Sequence, residues 1–320
     1  MRSEDQKSNS RVELSVIIPV FNEADSIQEL VQEISDVLSS QKMTYEILFI
    51  DDGSKDNSFK ILETCHQKDP HIRVIQFRCN LGKSEALSAG FSMARGDMVV
   101  TMDSDLQDDP AEIPKLIMKL NEGYDLISGW KKTRKDPLSK RIPSKVWNSM
   151  TAMMTGLKLH DFNCGLKIYR NEVVKSVDVY GELHRYIPAL ANWEGFRISE
   201  MAVNHRPRKF GRSKYGTSRF FKGFLDLITV MFLSRYTKRP LHLFGMAGML
   251  FGSIGAIITG TLIVLRIAGT IYLSNRPILF IGVLFLILGM QFFNIGLLGE
   301  MITRSQAKSR GYTIRRFLGE

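Results

Sequence analysis

Apolar residues in the first 130 positions alternate between two textures. Short unbroken runs such as Leu14-Ser-Val-Ile-Ile-Pro-Val20 are rich in β-branched residues. Such runs read as strands buried on both faces. Between them, apolar residues recur at helical spacing: Ile27, Leu30, Val31, Ile34, Val37 and Leu38 predict a helix over Glu23–Ser40. The same alternation predicts strands over Tyr45–Ile50, Ile72–Phe77, Asp97–Met102 and Tyr124–Ser128. It predicts helices capped by Asp56 or Asn57, over Lys83–Ala94 and over Pro110–Asn121. Strand and helix alternating at this interval imply parallel strands with crossover helices. Sheets of that kind hold ligands at the carboxyl ends of their strands. Three polar clusters fall there: Asn22-Glu23, Asp51–Ser54 and Asp103–Gln107.

The pattern changes after residue 205. Leu241–Leu265 and Ile278–Leu298 are uncharged apolar stretches, each longer than the roughly 18 residues that cross a bilayer core. The short connector Arg266–Pro277 makes them a hairpin. The alternative is a pair of buried helices in a soluble protein, but neither segment has a polar face. Before the first span, Phe210, Tyr215, Phe220, Phe221, Phe224 and Phe232 interleave with Arg212, Lys214, Arg219, Lys222 and Arg235. A basic, aromatic amphipathic segment of this kind suits a lipid interface; the alternative is a core-facing helix with a solvated basic face.

Charge sharpens the division. The chain has 320 residues and a net charge of +10. Residues 1–205 carry 26 Lys and Arg against 30 Asp and Glu, whereas residues 206–240 carry 10 against the single Asp226. The excess therefore flanks the apolar region, which points to a membrane surface and not to nucleic acid. Arg235, Lys238 and Arg239 precede the first span, Arg304, Lys308 and Arg310 follow the second, and only Arg266 and Arg276 lie between. The positive-inside rule then expects an integral membrane protein with its large domain and both termini cytoplasmic. The first 13 residues have no apolar core and predict no signal peptide. Cys65, Cys79 and Cys164 form no close-spaced metal pattern, and their odd number is a poor disulfide framework. The expected organisation is a polar tail (1–13), an α/β catalytic domain (14–209), interfacial helices (210–240), two transmembrane helices (241–300) and a basic tail (301–320).

Candidate chemistry concentrates at Asp103-Ser-Asp105, followed by Gln107 and Asp108. Two carboxylates two residues apart can hold a hard divalent cation, which bridges diphosphate oxygens and neutralises a leaving group. A bare pair of this kind is weak, since most are solvated loops or caps. Its place after an apolar strand, in register with Asp51-Asp52, strengthens it.

Pro19-Val-Phe-Asn-Glu23, Asp51-Asp-Gly-Ser54 with Asp56, Asn80-Leu-Gly-Lys83 and Asp103-Ser-Asp-Leu-Gln-Asp108 occur in that order. Together they resemble glycosyltransferase family 2, with its GT-A-like nucleotide-sugar fold. Asp161-Phe-Asn-Cys-Gly165, Arg208-Lys-Phe-Gly-Arg-Ser-Lys-Tyr215 and the apolar hairpin narrow the resemblance to the polyprenyl-phosphate sugar transferases. The resemblance implies that Pro19, Phe21, Glu23 and Asp52 line the nucleotide base and ribose, and that Lys83 lies near the nucleotide. It implies that Asp103 faces ribose and metal, while Asp105 and Gln107 bind Mg²⁺ or Mn²⁺ with the diphosphate. Arg208, Arg212, Ser213 and Lys214 would meet the acceptor phosphate or donor diphosphate, and Asp161 would sit near the transferred sugar. Asp105, Asp161 and the cluster 208–214 form the implied catalytic set. The Gln-x-x-Arg-Trp motif of the family's processive polymer synthases is not found; no Arg precedes Trp.

The chemistry of the acceptor points the same way. A sugar hydroxyl needs a general base, whereas a phosphate monoester is already anionic near neutral pH and needs steering cations. The chain offers cations: Arg206, Arg208, Lys209, Arg212 and Lys214 just before the apolar region, and a second run from Lys131 to Lys145. The expected partners are a nucleotide-sugar donor (UDP- or GDP-), a polyprenyl-phosphate acceptor and the membrane. The expected reaction moves one hexose-type sugar with inversion. The rivals are a transferase acting on a glycolipid hydroxyl and a non-catalytic membrane scaffold of the same fold. Gly245, Gly248, Gly252 and Gly255 in the first span add the expectation of a homo-oligomer.

Overall fold

The computed structural model describes residues 12–132, 148–153, 155–181, 183–207, 209, 240–270, 272 and 277–306. The chain forms two compact units, Met1–Leu227 and Ile228–Glu320.

The first unit is built on a seven-stranded sheet. In chain order the strands are β1 (Leu14–Val20), β2 (Tyr45–Asp51), β3 (Ile72–Gln76), β4 (Met98–Thr101), β5 (Leu126–Trp130), β6 (Lys167–Arg170) and β7 (Ile198–Ala202). Their order across the sheet is β3-β2-β1-β4-β6-β5-β7. The helices are α1 (Ala24–Ser39), α2 (Ser58–Lys68), α3 (Lys83–Met93), α4 (Ile113–Asn121), α5 (Asn171–Ser176) and α6 (Ile187–Trp193), with 3₁₀ turns over Pro110–Glu112 and Leu183–Tyr186. Side chains alternate across a strand, and β1 shows the result. Leu14, Val16, Ile18 and Val20 join one core with Ile27, Leu30, Ile34 and Leu38 of α1 and Ile113, Leu116 and Leu120 of α4. Ile17 faces a second core with Ala86, Leu87 and Phe91 of α3 and Ile187 and Ala191 of α6. Burial on both faces explains the unbroken apolar runs.

The five strands expected from the sequence, β1 to β5, all run in one direction, but β6, which was not expected, is inserted antiparallel between β4 and β5, and β7 pairs parallel with β5. β5 therefore does not lie beside β4. The insertion pairs Lys167 with Thr101 and places Gly165, just before β6, against the end of β4. The helix expected over Pro110–Asn121 begins as a 3₁₀ turn, where Asp109 accepts a hydrogen bond from the Ala111 N–H at 3.1 Å.

Beneath the sheet's amino-terminal edge, Glu46 is a buried carboxylate. It accepts hydrogen bonds from Ser15 Oγ (2.6 Å), the Arg95 N–H (2.8 Å) and Arg73 Nη1 (2.6 Å). Burial would raise its pKa, but these donors and the Arg73 charge outweigh it and hold the carboxyl below its usual value. Breaking a buried, hydrogen-bonded charge pair removes about 3 kcal/mol. Glu46→Ala should therefore lower the melting temperature of the detergent-solubilised protein by roughly 6–12 °C near neutral pH. Because the folded pKa is depressed, that stabilisation is complete above the usual carboxylate value of about 4.3 and is lost as pH falls through the lowered one. A gap between wild type and variant that stayed constant down through that range would disprove the assignment.

The second unit holds α7 (Pro240–Ile267) and α8 (Pro277–Gln306). Both are long and apolar enough to cross a membrane, with mean hydropathies of 2.0 and 2.4. Only 17% and 11% of their most apolar windows are buried, unlike the core helix of a soluble protein. They close on each other along a glycine seam. A Cβ on Gly248 would stand 2.8 Å from the Gly289 carbonyl oxygen, and one on Gly255 2.6 Å from the Leu286 nitrogen. A Cβ on Gly289 would stand 2.6 Å from the Gly252 nitrogen. Close backbone approach through small residues is how helices pair without a hydrophobic drive. Three of the four glycines behind the homo-oligomer expectation thus serve the hairpin of a single chain. Phe251 stacks on Phe285 and Phe292 at 5.7 and 5.4 Å along the same contact.

Candidate active site

The loops that follow β1, β2 and β4 meet at the carboxyl edge of the sheet. Asn22 takes a left-handed backbone conformation (φ 53°), which asparagine tolerates better than most residues. Its N–H donates to Ser54 Oγ at 2.9 Å, and its side-chain oxygen accepts from the Lys55 N–H at 2.8 Å. The N–H groups of Glu23 and Ala24 donate to Ser58 Oγ and Asp56 Oδ2. The exposed donors at the start of α1 are therefore satisfied by the β2–α2 loop, not by a cap of its own. Asp56 also accepts from the Ser58 N–H at 2.9 Å, so it caps α2 and braces α1 together.

Asp52 is buried and committed to the next loop. Its carboxylate accepts from the N–H groups of Leu81 (2.7 Å) and Gly82 (3.0 Å) and from Asn80 Nδ2 (2.9 Å). Burial nonetheless pushes its carboxyl up. Pro19, near the end of β1, and Phe21 and Glu23, on the turn that follows it, are half-buried. These residues and Asp52, expected around the nucleotide, lie at the carboxyl end of β1 and on two loops fastened to each other.

Asp103 follows β4 and forms an ion pair with Lys83, the first residue of α3. Burial would raise the Asp103 pKa, but Lys83, Lys131 and Lys167 outweigh it and hold the carboxyl well below the usual range. Its N–H donates to Asp108 Oδ2 at 3.2 Å, and Asp108 Oδ1 lies 3.4 Å from Lys131 Nζ. Lys131 is thus an internal partner of the acidic loop and not part of a solvated basic face. The rest of that second basic run, apart from exposed Lys132, falls outside the described residues. Asp105 is 8% exposed and accepts from the Gln107 N–H at 3.2 Å.

The acidic loop is zipped to the strand of chain that leads into the basic segment. The Arg206 N–H donates to the Gln107 carbonyl at 2.9 Å, and Gln107 Nε2 reaches back to the Arg206 carbonyl at 3.5 Å. The Arg206 guanidinium clamps Asp109 at 2.9 Å and Glu33 at 2.7 and 2.8 Å. Lys209 pairs with Glu29 of α1 at 2.6 Å. Arg208, Arg212, Ser213 and Lys214, and almost all of 210–240, lie outside the described residues.

Asp161 is buried, and one of its oxygens accepts from the Asn163 N–H at 3.1 Å, a turn-capping bond. Trp130 stacks on His160 at 4.2 Å. Gly165 acts by close approach: a Cβ there would stand 2.7 Å from the Asp103 carboxyl carbon.

A small cleft lies beside Asp103, between α3, the end of β4, β6 and the Leu183–Tyr186 turn. Its charged lining residues Lys167 and Arg185 were not singled out from the sequence, and His184 lines it beside them. Burial, then Lys83, Arg185 and Lys167, hold His184 well below its usual pKa, so its ring is neutral near pH 7. Ser84 Oγ and His184 Nδ1 share a hydrogen bond of 2.9 Å. Burial pushes the Cys164 thiol up to about 12, which makes it an inert wall.

The oxygen donors at Asp103, Asp105 and Gln107 suit Mg²⁺ or Mn²⁺. Among the described residues, no three His, Cys, Asp or Glu side chains gather into a complete metal cage. The set fits a cation held by one or two carboxylates and completed by substrate phosphate and water.

Residues 15–178 match the model of glycosyl transferase family 2. The chain is 38% identical, over 97% of its length and 94% of the relative's, to a dodecaprenyl-phosphate galacturonate synthase of Rhizobium johnstonii. It is 36% identical to an undecaprenyl-phosphate 4-deoxy-4-formamido-L-arabinose transferase of Shewanella sediminis, over 98% of this chain and 96% of the relative. Among solved structures it is similar to glucosyl-3-phosphoglycerate synthase of Mycobacterium tuberculosis in complex with Mn²⁺, UDP and phosphoglyceric acid. That match has a TM-score of 0.55 and 18% identity, covering 69% of this chain and 78% of that one; it places the sheet and its helices in the GT-A-like fold. The ordered loops at the sheet's carboxyl edge, the match over half the chain and the near full-length relatives agree: the chain belongs to glycosyltransferase family 2, among the polyprenyl-phosphate sugar transferases.

Proposed function

We propose that this enzyme transfers a single hexose-type sugar from a UDP- or GDP-sugar to polyprenyl phosphate, with inversion. The observation that carries the reading is the reciprocal bonding of Gln107 with Arg206. It ties the acidic loop, where a diphosphate would leave, to the chain that enters the basic segment 208–214. Donor and acceptor anions would then meet within one span of a few residues.

In this reading Pro19, Phe21, Glu23, Asp52 and Lys83 hold the nucleoside. Asp103, Asp105 and Gln107 hold Mg²⁺ or Mn²⁺, which when bound supplies charge neutralisation to the departing diphosphate. Arg208, Arg212, Ser213 and Lys214 orient the acceptor phosphate, which attacks the anomeric carbon from the face opposite the leaving group. No proton needs to be removed from that nucleophile, so Asp161 acts by positioning the sugar. Domain and membrane segments follow the boundaries expected from the sequence, with the α7–α8 hairpin in the bilayer and both ends of the chain cytoplasmic. The lipid-linked sugar would form on the cytoplasmic leaflet.

The test is transfer of label from UDP- and GDP-sugars in detergent, with undecaprenyl phosphate, diacylglycerol and ceramide as parallel acceptors. A chloroform-soluble product made only with the phosphate lipid is expected. Product formed on a hydroxyl lipid would move the assignment to the hydroxyl-acceptor rival. Nucleotide binding without any product would move it to the scaffold.

A further inference from the structure

The cleft beside Asp103 is lined by cations as well as by that carboxylate. Lys83, Lys167 and Arg185 line it, and among the described residues Asp103, which is paired with Lys83, is its lining carboxylate. Lys167 is the unusual member. It is the first residue of β6, paired with Thr101 in the middle of the sheet, and only 4% exposed. Its ammonium donates to the Cys164 carbonyl, and no carboxylate lies within ion-pair distance of it among the described residues. A buried ammonium that meets only a neutral carbonyl is expensive to keep. Burial, and after it the nearby Lys83 charge, push its pKa down, and Asp161 and Asp103 offset that only in part from a distance. His184 across the cleft is neutral and so does not add to the repulsion of a cation or replace the missing anion. A methionine would fill the same space in this strand without that penalty.

We propose that this cleft is a subsite for an oxyanion of a substrate, with Lys167 as its central cation and Arg185 as its outer one. The inference rests on the proposed transfer reaction, which offers two such groups of the same chemistry. One is the carboxylate of a hexuronic donor sugar; the other is the terminal phosphate of the lipid acceptor. A neutral hexose on its own gives the buried ammonium nothing to pair with.

The full chain in detergent would be assayed in two ways, with Lys167→Met and Arg185→Gln beside wild type. The first is calorimetric affinity for a UDP-hexuronate and for the UDP-hexose of the same stereochemistry, which needs no turnover. The second is the KM for undecaprenyl phosphate. Loss of one charge-assisted hydrogen bond is worth about 10- to 100-fold. A fall of that size in the ratio of uronate to hexose affinity assigns the subsite to the sugar carboxylate. A rise of that size in the lipid-phosphate KM assigns it to the acceptor. If both quantities stay within about twofold of wild type while UDP still binds, the subsite does not exist. Should Lys167→Met fail to bind UDP at all, Arg185→Gln decides by the same readings. If wild type transfers no sugar to polyprenyl phosphate, the proposed function fails, and the donor affinities alone decide the subsite.

Discussion

Asp105→Ala is expected to lower sugar transfer by roughly 10²–10³-fold, the usual cost of removing one group that stabilises developing charge. Asp105 is 8% exposed and its described partner is the Gln107 N–H, two residues on, so its carboxylate is shaped by the loop that carries it. The loop itself is held by other contacts: Asp103 N–H to Asp108, Asn204 and Arg206 to Asp109, and the Gln107–Arg206 exchange. Removing the Asp105 carboxylate should therefore leave the fold standing. Labelled sugar in the chloroform phase reports the loss, and a chelator added to wild type should reproduce it. Addition of excess Mn²⁺ should restore chelated wild type but not the variant. A variant that kept more than about a tenth of wild-type transfer would take Asp105 out of the proposed reaction.

Gly165→Ala should lower transfer by about 100-fold with little change in melting temperature. A Cβ at this position would stand 2.7 Å from Asp103 Cγ and Oδ2 and 2.9 Å from Oδ1. The side chain it strikes is short and paired with Lys83, so the carboxylate must swing away from its present place. Displacement of a site group by about 1 Å is enough for a 10²-fold loss. Alanine is otherwise suited to the site, because Gly165 is not among the residues with positive φ. Nucleotide affinity and transfer should fall together, since Asp103 is proposed to serve both. Full activity in Gly165→Ala would mean that Asp103 can move freely without consequence, and would remove it from the proposed binding set.

The contrast between Asp103 and Lys167 shows what the sequence made legible. Asp103 follows an apolar strand, and its neighbours Asp105 and Gln107 repeat a recognisable spacing. The strands β1 and β2 are covered by helices on both sides, so burial wrote itself into unbroken apolar runs. β6 is only four residues long and reads Lys-Ile-Tyr-Arg, too short and too polar for a strand signal. β7, Ile-Ser-Glu-Met-Ala, is half-exposed and alternates weakly. Without β6, the strands legible in the sequence all run in one direction. Lys167 was invisible for the same reason, because a lysine in a short polar segment suggests solvent. Only the pairing of β6 with β4, a contact between residues far apart in sequence, turns its side chain into a cleft. Asp52 is a different case. Its sequence position marked it for the nucleotide, but sequence could not reveal that three donors of the Asn80–Gly82 loop share its carboxylate.

The antiparallel insertion of β6 also orders the birth of the domain. As the chain leaves the ribosome, β1 to β4 can assemble from neighbouring segments, but the outer edge of β4 stays bare until residues 167–170 arrive. β5, already made, has no place in the sheet before then, since β6 is its link to β4. An unpaired apolar strand edge is a template for wrong partners, and long-range pairing of this kind is slow. β7 closes the far side against β5 at Ala202. A fragment cut at residue 178, where the family match ends, would lack β7 and present β5 as a new open edge. The sheet is complete at Ala202, a few residues before the basic segment begins at Arg206, so the nascent chain carries a sticky margin from the end of β4 at Thr101 until β6 and then β7 are made.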